Sequence, residues 1–103
     1  MIHKDDILAF LKHEKEKLSP SGLKDIGLFG SFSRNEATEW SDIDVAIRLE
    51  RDFLARNDVW AYFDLLERIK TDIMHRFHRK SDVFDLDSGS DIRDRVDGET
   101  IYV

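Results

Sequence analysis

The stretch that decides the fold reads GSFSRNEATEWSDID and covers residues 30–44. It opens with Gly30-Ser31 and, after ten intervening residues, closes with Asp42-Ile43-Asp44. From Asp42 onward apolar residues alternate with others, which predicts a β-strand over residues 42–49. The apolar residues that define one face are Ile43, Val45, Ile47 and Leu49. Both aspartates therefore project from the opposite face of one rigid element.

The segments around this strand predict a mixed sheet covered by helices. Residues 31–38 fit either a loop or a short helix. The other predicted elements are a helix over 2–18, a strand over 23–29, a helix over 58–77, a strand over 81–86, a turn with a helix cap over 88–91, a short helix over 91–96 and a strand over 100–103. The order α-β-β-α-β-α-β predicts an α/β (α+β) fold with helices packed on one mixed β-sheet.

The long helix is predicted to begin at an N-cap formed by Asn57 or Asp58. Its helical spacing predicts one buried apolar stripe. The stripe consists of Val59, Tyr62, Phe63, Leu66, Ile69, Ile73 and Phe77. Trp40 and Trp60 are predicted to pack inside the protein, with a partner contact as the alternative for one of them.

The composition predicts a single globular domain over residues 1–103, with 41% apolar and 37% charged residues. The absence of cysteine fits a reducing, cytoplasmic setting. Charged residues 4–6 interrupt the place where a signal peptide needs an apolar core, and no membrane-spanning run is present. The net charge of −6 disfavours direct nucleic-acid binding. It suits a protein that concentrates cations or docks on a basic partner.

Asp42 and Asp44 are candidate ligands of a divalent cation. Two carboxylates side by side repel each other, and a cation removes that repulsion. Mg²⁺ prefers oxygen ligands and commonly combines one or two carboxylates with substrate phosphates. Two such ions clamp the attacking and leaving oxygens of a phosphoryl displacement. The pair therefore indicates metal-dependent phosphoryl or nucleotidyl transfer.

Gly30, Ser31 and Arg34 are candidate nucleotide-binding residues. Glycine lets a backbone approach a phosphate closely, and the following amides and the Ser31 hydroxyl are potential donors. Arg34 adds positive charge one turn later, and Asn35 after it tolerates a left-handed backbone. Neither the Gly-Ser pair nor the aspartate pair is specific alone. Their joint occurrence on consecutive predicted strands carries the prediction.

These motifs resemble the signature of the nucleotidyltransferase superfamily that includes DNA polymerase β. The segments FGSFSR, residues 29–34, and SDIDVAI, residues 41–47, are similar to the minimal nucleotidyltransferases of prokaryotes. The resemblance extends from about Ile26 to the C-terminus. One departure is Asn35, where the family usually has glycine.

The resemblance implies an antitoxin that uses ATP and Mg²⁺, two ions being expected. Its expected action is to transfer AMP onto a tyrosine of a partner HEPN-domain ribonuclease toxin and silence it. Two alternatives stay open. One is a catalytically silent antitoxin that acts by binding and occlusion. The other is a small-molecule nucleotidyltransferase, which would usually carry a further helical domain for its acceptor.

The resemblance also implies a third catalytic and metal-binding carboxylate on a later strand. Asp82 is the predicted residue, because it opens the strand and follows the basic Lys80. Its expected role is to accept the proton of the incoming hydroxyl group. Asp85 is the alternative; it lies three positions later, points to the other face, and is expected to face water if it has no role.

Overall fold

The computed structural model describes residues 2–88 and 93–103 and contains one four-stranded mixed sheet. Its elements are helix α1 (Lys4–Leu18), a 3-10 turn (Ser19–Ser21), strands β1 (Leu23–Phe29) and β2 (Ile43–Leu49), helices α2 (Phe53–Arg56) and α3 (Val59–Phe77), strand β3 (Ser81–Asp85), helix α4 (Arg93–Glu99) and strand β4 (Ile101–Tyr102). The predicted fold class and order are confirmed, with the 3-10 turn and α2 as additions. Residues 31–35 form turns, so the loop alternative is correct there. The predicted turn and cap over 88–91 lie largely outside the described residues.

The sheet has the strand order β3-β2-β1-β4. Strand β2 pairs with β1 in antiparallel and with β3 in parallel orientation, and β4 is antiparallel to β1. The end of β1 and the beginnings of β2 and β3 therefore meet at one edge of the sheet. This edge carries the Gly-Ser turn and the predicted acids.

The face of the sheet opposite the two aspartates forms the main hydrophobic core with α1 and α3. Burial of each large aliphatic side chain contributes about 1.5–3 kcal/mol. The core includes Ile7 and Leu11 of α1, Ile26 and Leu28 of β1, Ile43, Val45 and Ile47 of β2, and Ile69 and Ile73 of α3. The other face holds a smaller cluster in which Ala46 packs with Leu86 and Val96. Helix α4 thus covers part of the face that carries the acids.

The predicted stripe of α3 was only partly correct. Leu65 is buried although the stripe omitted it, whereas Val59 and Phe63 are 52% and 53% exposed. The helix is rotated so that Leu65, Ile69 and Ile73 lie in the core, and no other described element covers the two exposed residues. Asp58 is the N-cap, because its side chain accepts a hydrogen bond from the Ala61 amide.

Both tryptophans contradict the prediction that they pack inside the protein. Trp40 is 85% exposed in the loop before β2, and Trp60 is 72% exposed in the first turn of α3. They lie at opposite ends of the fold, because α3 ends where β3 begins beside the start of β2. No described helix combines the length and apolar character that a membrane crossing requires.

One carboxyl group is buried between α1 and α3. Glu14 is 1% exposed, and Lys17 lies between it and Asp72, at 3.7 Å from Glu14 Oε1 and 3.0 Å from Asp72 Oδ2. Burial and then the neighbouring Asp72 carboxylate raise the pKa of Glu14 to about 7. The folded chain therefore binds a proton more tightly at Glu14 than the unfolded chain does.

This group makes the stability of the fold depend on pH. Between the ordinary pKa of Glu14 and its raised value, the folded state holds a proton that the unfolded state has lost, so stability falls as pH rises through that window. Glu14→Gln should therefore be the more stable protein at pH 8, by on the order of 1–3 kcal/mol, with the advantage disappearing near pH 5. Urea titrations across this range measure the effect. Glu16→Gln, an exposed change on the same helix, is the control. Parallel wild-type and Glu14→Gln curves would contradict the assignment.

Candidate active site

The parallel pairing of β2 and β3 brings two predicted acids together. Asp44 is the register partner of Asp82, so both side chains point to the same face. Asp42 directly precedes β2, and the next amide, of Ile43, continues the ladder by donating to the Lys80 carbonyl at 3.0 Å. Asp82 and Asp42 are exposed, whereas Asp44 is half-buried. The structure thus gathers Asp42, Asp44 and Asp82 at one sheet edge.

Asp85 lies on the other face of β3, as its spacing from Asp82 predicted. It pairs with Ile47 and accepts a hydrogen bond from the Tyr62 hydroxyl at 2.8 Å, which ties β3 to α3. Burial and then this contact raise the pKa of Tyr62. The expectation that Asp85 faces water was wrong, because α3 supplies it with a partner. Its place opposite Asp82 separates it from the other acids.

Gly30 gives the Asp44 carboxyl group the space that it occupies. Its φ is 77°, a left-handed value that side-chain-bearing residues rarely adopt. A Cβ atom at position 30 would lie 2.9 Å from Asp44 Cγ and 3.0 Å from Asp44 Cβ. The antiparallel pairing of Phe29 with Asp44 produces this approach. The requirement for glycine at position 30 therefore comes from the Asp44 side chain of β2, whether or not a phosphate binds there.

The turn after Gly30 is held by its own hydrogen bonds. The Gly30 carbonyl accepts from the Ser33 hydroxyl at 2.6 Å and from the Ser33 amide at 3.1 Å. Asn35 adopts a φ of 58°, so the left-handed backbone that its residue type tolerates is present. Within the described parts of the chain, the amides of Ser31 and Phe32 make no hydrogen bond to other protein groups. They are the amides of this turn that a bound anion would meet.

Arg34 is held between two glutamates beside the acids. Its Nε lies 3.2 Å from Glu36 Oε2, and its Nη1 lies 3.2 Å from Glu99 Oε1. Glu99 was missed at the sequence level because it ends α4, 65 positions away, and no local pattern links it to Arg34. Only the packing of α4 on the sheet brings it to the site.

The acids repel one another. Burial raises the pKa of Asp44, and the Asp82, Asp42 and Glu99 carboxylates raise it further, whereas Arg34 acts in the opposite direction. A donor set of oxygen atoms with unrelieved negative charge fits a divalent cation. In residues 2–88 and 93–103, no three histidine, cysteine, aspartate or glutamate side chains are placed so that together they could hold a metal ion. Mg²⁺ commonly uses only one or two carboxylates and takes its other ligands from water and phosphate oxygens.

Arg79 fixes the loop that leads into β2. Its Nη1 donates to the Ser41 carbonyl at 2.7 Å and to the Thr38 carbonyl at 3.2 Å. The sequence shows Arg79 as one of several basic residues after α3, and nothing local distinguishes it. Its role depends on the parallel placement of β3 beside β2.

The family comparison agrees with this geometry. The model of the nucleotidyltransferase domain matches residues 7–96. The chain belongs to this nucleotidyltransferase family. Family membership implies a nucleotide substrate and a divalent metal in general terms, which agrees with the acids and the turn described above.

Comparisons with individual proteins specify which nucleotidyltransferases this chain resembles. It is 32% identical over 73 residues, 69% of this chain and 74% of the relative, to the protein adenylyltransferase MntA of Thermococcus cleftensis. A solved candidate minimal nucleotidyltransferase superposes with a TM-score of 0.71 at 20% identity, over 97% of this chain and 95% of that one. A solved MntA–HpeT toxin–antitoxin pair, in a variant with two aspartate-to-glutamate changes two positions apart, gives a TM-score of 0.59 at 19% identity. That match covers 98% of this chain and 71% of the other. These structural matches show that the fold is shared.

The two acids of β3 provide a matched test of the site. Asp82→Asn should lower the rate of nucleotidyl transfer at least 100-fold and leave the melting temperature within about 2 °C, because the side chain is exposed and its charge serves chemistry. Asp85→Asn should retain most activity but lower stability by about 1 kcal/mol through its bond to Tyr62. The reverse pattern in transfer assays and thermal melts would make Asp85 the third acid.

Two substitutions in the turn after β1 should distinguish the need for space at residue 30 from the need for a hydrogen bond from Ser31. Gly30→Val should abolish transfer and destabilise the fold, because its side chain would displace the Asp44 carboxyl group and strain the backbone. Ser31→Ala should raise the KM for ATP by about tenfold and leave the fold intact, since one hydrogen bond to a charged group is lost. Steady-state kinetics and melting curves measure both. Normal ATP turnover by Gly30→Val would show that this close approach is dispensable.

Proposed function

We propose that this chain transfers AMP from ATP to a hydroxyl group, a tyrosine, of a HEPN-domain ribonuclease toxin, and so acts as its antitoxin. The observation that carries the proposal is the register pairing of Asp44 with Asp82 beside the Gly30 turn. The relative named protein adenylyltransferase MntA supports the reaction, and the MntA–HpeT pair supports a toxin partner.

The acids would hold the metal ions of the reaction. Asp42, Asp44 and Asp82 offer carboxylate oxygens from two adjacent strands on one face. Two Mg²⁺ ions bound there would supply neutralisation of the triphosphate and polarisation of the reacting oxygens. Because the acids are mounted on paired strands, their relative positions are fixed before substrate arrives. This preorganisation is what electrostatic stabilisation of a transition state requires.

The turn after β1 would bind the triphosphate of ATP. The Ser31 hydroxyl and the amides of Ser31 and Phe32 would donate to phosphate oxygens. Arg34 would exchange its contacts with Glu36 and Glu99 for a phosphate oxygen, a charge-assisted bond of comparable geometry. These contacts would orient the α-phosphate toward the acids.

The reaction itself is an in-line displacement. The acceptor oxygen forms a bond to the α-phosphorus of ATP, the bond from that phosphorus to the bridging oxygen breaks, and pyrophosphate leaves. The proton of the acceptor hydroxyl passes to Asp82, which is exposed and therefore accessible to an acceptor from outside. The products are an AMP-modified hydroxyl group and pyrophosphate.

Transfer to a toxin can be tested by mass. A purified HEPN-domain toxin incubated with the chain, Mg²⁺ and ATP should gain the mass of an AMP residue for each event, and a chelator should prevent the gain. A variant with both Asp42→Asn and Asp44→Asn should leave the toxin mass unchanged, because the metal ligands are lost. That variant should stay folded, with an equal or slightly higher melting temperature, since two repelling charges are gone.

The decisive measurement is ribonuclease activity after the two proteins are separated. Inhibition that persists only when the acids were present supports covalent modification. If the acid-free variant inhibits equally well and inhibition ends on separation, the chain acts by occlusion and the proposed reaction is wrong.

A further inference from the structure

Among the residues that the structure describes, the most exposed large apolar side chain is that of Trp40, in the loop that leads into the acids. Trp40 is 85% exposed, although tryptophan side chains are highly buried on average. Exposing so much apolar surface is unfavourable, and tryptophan is the residue type most enriched at the energetic centres of protein interfaces. The reaction described above assigns no role to Trp40.

Hydrogen bonds restrain the loop around Trp40, so the exposure of the indole is a consequence of the fold. The Trp40 amide donates to the Thr38 hydroxyl at 3.2 Å, and the Thr38 amide donates to the Ser41 hydroxyl at 2.8 Å. Arg79 fixes the Thr38 and Ser41 carbonyls on either side. Because the loop backbone is restrained on both sides of Trp40, little conformational entropy of the backbone is lost when a partner binds the indole.

Trp40 also lies close to the reacting groups. Trp40 lies two positions before Asp42, with Ser41 between them, so their Cα atoms are within about 7 Å of each other. An indole ring reaches several ångströms beyond its own Cα, which is enough to contact a molecule whose hydroxyl group approaches the acids. A partner anchored at Trp40 would therefore present its acceptor within reach of Asp82, on the neighbouring strand.

The charge around Trp40 defines the kind of partner. Residues 35–47 include Glu36, Glu39, Asp42 and Asp44 and no lysine or arginine. Of the cations that reach this stretch from elsewhere, Arg34 is paired with Glu36 and Glu99, and Arg79 donates to the Thr38 and Ser41 carbonyls. Metal ions would neutralise the two aspartates, and Glu36 is paired with Arg34, so the exposed Glu39, next to Trp40 in sequence, is the carboxylate left for a partner. A surface of this type is complementary to an apolar side chain flanked by lysine or arginine.

We propose that Trp40 anchors the acceptor protein, and that the acceptor segment it receives is basic. This inference rests on the proposed function for the identity of the partner as a HEPN-domain toxin. Trp40 is a docking residue that sets acceptor affinity; the chemistry stays with Asp42, Asp44 and Asp82. An indole is also able to stack on the adenine ring of ATP, so the test must separate acceptor from nucleotide.

The two tryptophans allow both ends of the fold to be observed in one sample. Fluorotryptophan incorporated into this chain alone gives two fluorine NMR signals, which Trp40→Phe and Trp60→Phe assign. The HEPN-domain toxin, added without nucleotide, should shift or broaden the Trp40 signal. Mg²⁺ with AMP-PNP, added without toxin, should leave that signal in place. A Trp40 signal that responds to AMP-PNP alone would overturn the proposal in favour of a nucleotide platform.

Affinity provides the second readout. Trp40→Ala should raise the Kd for the toxin about tenfold or more and leave the Kd for AMP-PNP within twofold. Trp60→Ala removes another largely exposed indole, from the far end of α3, and is the matched control. A toxin Kd that depends on Trp60 and not on Trp40 would overturn the proposal, as would a toxin that moves neither fluorine signal.

The acidic surroundings are tested by exchanging charge. Glu39→Lys should weaken toxin binding, with the larger effect at low ionic strength. An increase in affinity would overturn the basic-acceptor part of the proposal. Wild-type chain that binds the toxin through Trp40 but transfers no AMP would refute the proposed reaction and leave the docking role standing.

Discussion

The contact between the Asp44 carboxyl group and the Cα atom of Gly30 is the constraint on which the site depends. It exists because β1 and β2 pair with Phe29 opposite Asp44, so the turn leaving β1 begins directly over the acid. The left-handed backbone of Gly30 redirects the chain at that point. Any larger residue would separate the turn from the acids, and the proposed triphosphate and metal sites would no longer be adjacent.

Because side chains alternate along a β-strand, the two faces of the sheet carry different residues and have different surroundings. On one face the aliphatic residues of β1 and β2 bury against α1 and α3 and hold the sheet together. On the other, the small Ala46 lets α4 approach, and the acids stay open to solvent. Strand β3 repeats this division over three residues, because Asp82 faces the acids and Asp85 ties β3 to α3 through Tyr62. Two carboxylates on one short strand thus have different surroundings.

Carboxylates also account for the polar features of the fold. At the site, Arg34 offsets part of the repulsion among Asp42, Asp44 and Asp82, and Glu99 restrains Arg34. Remote from it, burial and then the neighbouring Asp72 carboxylate raise the pKa of Glu14 between two helices, and the nearby Lys17 offsets only part of this effect. The negative charge of the chain is therefore distributed unevenly, and the loop bearing Trp40 is one of the places where it is concentrated next to apolar surface.

The sequence by itself determined the order of the elements along the chain, the common face of Asp42 and Asp44, the opposite faces of Asp82 and Asp85, and the fold class. Those properties follow from a period of two and from turn residues, which act over short distances. Only the tertiary structure decided that α3 buries Leu65 and exposes Phe63, that Trp40 and Trp60 lie outside the core, that Glu99 holds Arg34, and that Arg79 fixes the loop before β2. Each of these depends on which element, distant in sequence, packs nearby. A periodic pattern shows that a helix has an apolar side, but the rotation of the helix about its axis is set by the element that packs against it.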